Sequence, residues 1–237
     1  MRILKRLLQG LAALVLLVLL GAFAWQPTLT WRALGLAFGG DQGPRVTAAG
    51  GTVPPLGVAT PAERTIPGAV LDEAIALGTA GKSHAILVWQ GGALQLEHYF
   101  PGHGPTTITP TQSMHKSVLA LLVGIAIDQG LFKSVDEPMS TYVPEWRDDA
   151  RSTITIRQML QQASGIDFPG FTGLLQMTLG GDVAGFTFSR GRLPGNPTAF
   201  QYNNINPEVL GIALQRVAGK PYAQYLSENL WRYVSED

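Results

Sequence analysis

The chain has 237 residues, of which 46% are hydrophobic and 14% charged, and its formal net charge is zero. Such a chain buries a core and is not disordered by composition, and with no basic patch beyond its extreme N-terminus it offers no surface for nucleic acid. It has no cysteine, which excludes disulfides, thiolate zinc sites and a cysteine nucleophile.

The first element is an apolar run. Arg2, Lys5 and Arg6 precede it, and within the nineteen residues 7–25 only Gln9 is strongly polar. Nineteen helical residues span about 28 Å, close to the hydrocarbon thickness of a bilayer. The positive flank stays cytoplasmic, so the rest of the chain is exported. Residues 1–25 read as a membrane anchor, with a cleaved signal peptide as the alternative, because Ala22-Phe23-Ala24 is a small-x-small site.

Residues 26–66 are rich in Gly, Pro, Ala and Thr. They read as a linker with one short helix near 31–38. The globular part, 67–237, opens with a helix over 71–77 that Gly78 and Gly81 end. Two β-rich runs, 85–90 and 93–100, flank Gly91-Gly92, which is a hairpin signal. GTAGKS at 78–83 is not a phosphate loop. Ala76 stands where the first glycine of that motif belongs, and the order is helix then strand.

A helix is predicted from Ser113 to Gly130, followed by a loop punctuated by Pro138 and Pro144. TITIRQMLQQASG, residues 153–165, gives a strand-like entry, a Thr155 cap, a helix and a Gly165 stop. Residues 166–200 hold glycines, prolines and aromatics without period. They read as a long loop with one short helix, the kind of segment that forms lids or pocket walls. NPEVLGIALQRVAGK is a helix that Asn206 should cap, with Pro207 at its first position and Gly219 at its end. A last helix covers 221–231.

Chemistry enters at Ser113-Met114-His115-Lys116. A serine hydroxyl is a poor nucleophile without a neighbouring base. Lys116 lies one helical turn on and shares a face with Ser113. At a helix start the Ser113 amide is free to face an oxyanion. The alternative reading is an N-cap serine followed by a solvated lysine. Tyr202 and Asn204, just before the next capped helix, supply a phenol that can relay a proton and a carboxamide that can hold the lysine or a substrate amide. His84, His98, His103 and His115 show no paired helical spacing, so no metal site is predicted.

These motifs resemble the serine β-lactamase-related family. The likeness is to its class C-like branch of β-lactamases, DD-peptidases, esterases and 6-aminohexanoate-dimer hydrolases. Ser113-Met114-His115-Lys116 matches the family's Ser-x-x-Lys, and Tyr202-Asn203-Asn204 matches its Tyr-x-Asn. The context agrees over about 85–231. The Ser-Met-x-Lys-Ser form and the YVPEW loop look most like the aminohexanoate-dimer hydrolases.

The resemblance implies an α+β fold with an antiparallel sheet flanked by helices, and an acyl-enzyme mechanism that needs no cofactor. Ser113 would be the nucleophile, with Lys116 and Tyr202 sharing the base role. Asn204 would bind on the substrate side and position Lys116. The implied partner is a small-molecule amide, lactam or ester. The implied location is the bacterial inner membrane facing the periplasm, or the periplasm itself if the signal is cleaved.

The sequence departs from the family in one respect. The third element, Lys-Thr-Gly or a His-x-Gly relative on a downstream strand, is not found in the 35 residues after Tyr202. The expectation is a C-terminally truncated member, catalytically weak or dead, whose sheet is a hairpin with a bare edge. A non-catalytic remnant or ligand-binding module of the same fold is the competing function. Trp146, Phe168, Phe171 and Phe186 are candidate pocket aromatics, with plain packing as the alternative.

Overall fold

The computed structural model describes residues 2–38, 46–195 and 197–234. It is an α+β arrangement in which a small antiparallel sheet is flanked by helices. α1 (Arg2–Trp25) is the apolar run, and α2 (Pro27–Phe38) follows it after a single residue. α3 (Gly68–Ala80) precedes the hairpin β1 (Ala85–Gln90) and β2 (Ala93–Tyr99). The helical layer consists of α4 (His115–Asp128), α5 (Ile156–Leu160), α6 (Gly170–Leu179), α7 (Val183–Ser189), α8 (Ile205–Ala218) and α9 (Tyr222–Leu226).

The hairpin forms where its turn chemistry predicts. Gly91 and Gly92 have φ of 65° and 81°, the double positive φ of a two-residue turn that suits twisted strands. The pairing Val88↔Leu96 steps to Trp89↔Leu94, which makes Gln95 the extra residue of a bulge. The Gln95 side chain is buried. Its Oε1 accepts from Thr65 N–H at 2.8 Å and its Nε2 donates to Gln90 O at 3.0 Å.

The expected bare edge is partly covered. Leu94 N–H donates to Gly57 O at 2.8 Å, and Ala59 N–H donates to Leu94 O at 2.9 Å, so residues 57–59 add a short parallel bridge beside β2. Residues 48–51 lie against the last helical segment, where Ser227 Oγ donates to Ala49 O.

Gly78 does not end α3. It sits inside that helix because a Cβ there would lie 2.5 Å from Ile86 Cδ1 and 2.6 Å from Phe100 Cζ, so the helix approaches the hairpin through it. The helix ends at Gly81, as expected.

The main core joins α4, α5, α8 and α9. Leu122, Val123 and Ala126 pack with Ile156, Ile205, Val209, Ala213 and Leu214, and with Phe132, Met139 and Trp146 from the loop between α4 and α5. Trp146 is therefore core packing and not a pocket wall. Phe168 and Phe186 lean on the same core, while Phe171 is exposed.

Residues 166–200 contain two helices, α6 and α7, where one was expected. The second starts at Asp182, whose side chain accepts from Gly185 N–H at 2.7 Å. The Thr155 cap is a full capping box with Gln158. Gly219 takes φ 64° after α8, the left-handed residue that closes a helix.

Gly165 has φ 70°, and a Cβ there would lie 2.4 Å from Pro197 O. Gly130 has φ 73° with open space around it. Gly165→Ala should cost about 2–4 kcal/mol, from the left-handed penalty plus the backbone collision, and Gly130→Ala about 1–2 kcal/mol from the penalty alone. Urea unfolding of the full chain in detergent micelles measures both. Equal losses would show that the Pro197 contact is not what demands glycine.

Candidate active site

Ser113 does not act as an N-cap. It lies in a single 3-10 turn, Gln112–Met114, that leads into α4, and its side chain makes no capping bond. Gln112, immediately before it, has φ 48°, an uncommon value for a residue with a Cβ. The turn leaves the Ser113 side chain at the surface and its amide without a hydrogen-bond partner among the described residues.

Three of the four predicted residues meet. Lys116 Nζ donates to Ser113 Oγ at 2.9 Å, and Tyr202 OH donates to the same oxygen at 2.6 Å. Lys116 Nζ also stands 5.0 Å from the centroid of the Tyr202 ring, within cation–π reach. The Lys116 ammonium first, and then the hydrogen bond shared with Ser113, hold the Tyr202 phenol below its ordinary value near 10.0. Tyr202 remains 52% exposed, so solvent shares in this balance.

Asn204 is not part of this contact. It precedes α8, half-buried, and its side chain bonds to none of the three. Its neighbour Asn203, passed over in the sequence, is buried instead. Asn203 Oδ1 accepts from Ile205 N–H at 2.7 Å, so Asn203 and not Asn206 satisfies the start of α8. Asn203 Nδ2 donates to Ile166 O at 2.6 Å.

Gln162 and Asn206 complete this buried net. Gln162 Oε1 accepts from Asn203 N–H at 2.9 Å and from Asn206 Nδ2 at 2.9 Å, and Asn206 Oδ1 accepts from Ser164 Oγ at 2.6 Å. Gln201 N–H donates to Gln162 O at 2.8 Å. Residues on both sides of Tyr202 are thus tied to the segment after α5. Asn206 is unavailable as a cap because its side chain is spent inside, and Pro207 stands within the first turn, where no N–H is needed.

His115, inside the Ser-x-x-Lys motif, points away from the reacting oxygen. Its Nε2 pairs with Tyr222 OH at 2.9 Å, and burial pushes the imidazole below its usual value and the Tyr222 phenol up to about 12. Among the described residues no three His, Asp or Glu side chains gather as a metal site. A cleft of about 530 Å³ lies by the hairpin, lined by Ser83, His84, Tyr99 and His103, and contains none of the Ser113 group.

Comparison with known proteins agrees with this fold. The Beta-lactamase family model matches residues 59–234, which include Ser113, Lys116 and Tyr202. The 6-aminohexanoate-dimer hydrolase of Paenarthrobacter ureafaciens is 26% identical over 180 residues, covering 65% of this chain and 43% of that protein. A Bacillus anthracis protein assigned as a 6-aminohexanoate-dimer hydrolase superposes with a TM-score of 0.58 at 19% identity, covering 81% of this chain and 53% of that one. FmtA from Staphylococcus aureus superposes with a TM-score of 0.55 at 19% identity, covering 67% and 47%. At these identities the structural likenesses establish the fold, and the chain spans about half the length of these relatives or less. Because the family model covers most of the chain and the fold agrees, the chain belongs to the Beta-lactamase family.

Proposed function

We propose that the protein is a serine hydrolase that cleaves amide, lactam or ester bonds through an acyl-enzyme. One observation carries this reading: Ser113 Oγ is the shared acceptor of Lys116 and Tyr202. The family, and the name of the 26% identical relative, point to the same chemistry.

Ser113 Oγ attacks the carbonyl carbon and its proton passes to Lys116 or Tyr202. A base must first be free. The phenol held low by Lys116 becomes phenolate at a lower pH than an ordinary tyrosine, and Ser113 then donates to it. The Ser113 amide faces the developing oxyanion. The C–N or C–O bond breaks, the leaving group takes a proton from the same relay, and water later cleaves the acyl ester. Asn204 is assigned to the substrate side.

α1 is the membrane anchor in this reading. The stretch Lys5–Trp25 is long and apolar enough to cross a bilayer. Arg2, Lys5 and Arg6 at the start of α1 support an orientation with the domain on the exported face, the periplasmic side of an inner membrane.

Ser113→Ala should abolish covalent labelling of the full chain by a penicillin or an activated ester. Reversible binding of these probes with no acylation of the parent chain would identify a binding module instead. Labelling should rise with pH through a midpoint below 10, because the reactive form is the deprotonated one, and Tyr202→Phe should remove that limb. An unchanged pH profile in Tyr202→Phe would take the phenol out of the base role.

Gln162→Leu should leave the Asn203 amide and Asn206 Nδ2 without an acceptor, at about 1–3 kcal/mol for each buried donor. Gln162→Glu keeps an acceptor and should lose less. Both losses are measured by urea unfolding, and labelling of the folded fraction should fall in Gln162→Leu as Tyr202 loses its support.

A further inference from the structure

α2 is not part of a free linker. Only Gln26 separates it from α1, and hydrogen bonds cross the joint: Gln26 N–H donates to Ala22 O at 2.7 Å, and Thr30 N–H and Oγ1 donate to Gln26 O at 2.9 and 2.8 Å. α2 docks where α6 ends. Arg32 Nη1 donates to Gly180 O at 2.9 Å. Gly181 packs against Thr28, such that a Cβ on Gly181 would lie 3.6 Å from Thr28 Cβ. Thr30, bonded to Gln26, is buried. The faces left open carry two tryptophans, Trp25 at 83% and Trp31 at 66% exposed.

Helix geometry limits how far α2 can stand from the bilayer. Trp31 is six residues beyond Trp25, so even if α2 continues the α1 axis it lies about 9 Å further out. The headgroup layer extends about 5–8 Å beyond the hydrocarbon on each side, so a straight, upright continuation puts Trp31 just past its outer edge. Any bend at Pro27 brings Trp31 closer. Indole rings prefer that layer, with an apolar body and one N–H to satisfy.

We propose that α2 is an interfacial collar whose partner is the lipid bilayer surface. Trp25 and Trp31 sit in the headgroup layer, and Arg32 and Thr28 hold the α6 end of the domain against it. The proposal rests on the anchor reading of α1. Its consequence reaches the candidate site, since the segment leading into α6 begins at Ile166, whose carbonyl holds Asn203 next to Tyr202. The site then stands at a fixed, short reach from the membrane instead of at the end of a flexible tether.

The chain has no cysteine, so single labels are unambiguous. The full chain carrying a nitroxide at Leu14→Cys, Trp31→Cys or Lys133→Cys is reconstituted in phosphatidylcholine/phosphatidylglycerol vesicles. Collisions with oxygen and with a water-soluble nickel chelate report depth. The label at 14 should be shielded from nickel, and the label at 31 should be several-fold less accessible to nickel than that at 133. If 14 is shielded while 31 is as accessible as 133, the collar is overturned and the anchor stands. If 14 is as accessible as 133, the anchor fails and the collar with it.

A second variant pairs Thr28→Cys with Gly181→Cys, at a Cβ separation that a disulfide accepts. Mild oxidation in vesicles should close it within one chain. No bridge would overturn the docking of α6, and a bridge between two chains would assign this face to a second copy.

Discussion

The Ser113–Lys116–Tyr202 contact depends on α4 lying against α8. Ser113 lies in the turn that leads into α4 and Lys116 in its first turn, and Tyr202 stands three residues before the start of α8. The two helices meet through Leu122, Val123 and Ala126 on one side and Ile205, Val209 and Ala213 on the other, all almost fully buried. A buried aliphatic side chain contributes about 1.5–3 kcal/mol, more than a single exposed hydrogen bond. Packing therefore fixes the distance, and the polar contacts at the surface follow from it. Positions 89 residues apart reach 2.6 Å because the core below them admits one relative placement.

Packing sets the helices but not the aim of the phenol. The buried net of Gln162, Ser164, Asn203 and Asn206 does that. Asn203 follows Tyr202 directly and Asn206 follows Ile205, and both are bonded to the segment that follows α5. A buried amide that lost its partner would cost more than the bond itself is worth, so the net is costly to break at any one member. The positive φ of Gln112 plays a similar part on the serine side, because a backbone in that region persists only where its surroundings determine it.

The sequence made legible whatever is decided within a few residues. The Gly91-Gly92 turn, the Thr155 cap and the Gly219 stop follow from φ preferences and side-chain reach, and they stand where expected. The Ser-x-x-Lys spacing likewise predicts that Lys116 reaches Ser113. What was misread is decided at a distance. Gly78 looks like a stop until Ile86 and Phe100 pack on it. Asn206 looks like a cap until Ser164 and Gln162 claim its amide. Residues 26–66 read by composition as a linker with a short helix near 31–38, yet Arg32 bonds to Gly180 across 148 positions. Asn203 carried no signal beyond its place between two motif residues.

The hairpin and the helical layer are separate in their packing. Ala59, Leu71, Leu94 and Phe100 are buried about the hairpin, and none belongs to the cluster formed by α4, α5, α8 and α9. A two-stranded hairpin is marginal alone, and this one is held by α3, by residues 57–59 and by the Gln95 bonds. Units that share few buried contacts open independently. The residues that approach Ser113, and the net that aims Tyr202, all lie in the helical layer. Opening of the hairpin therefore leaves the serine, the lysine and the phenol in contact. The part of the chain that sets up the nucleophile is stabilised by its own core.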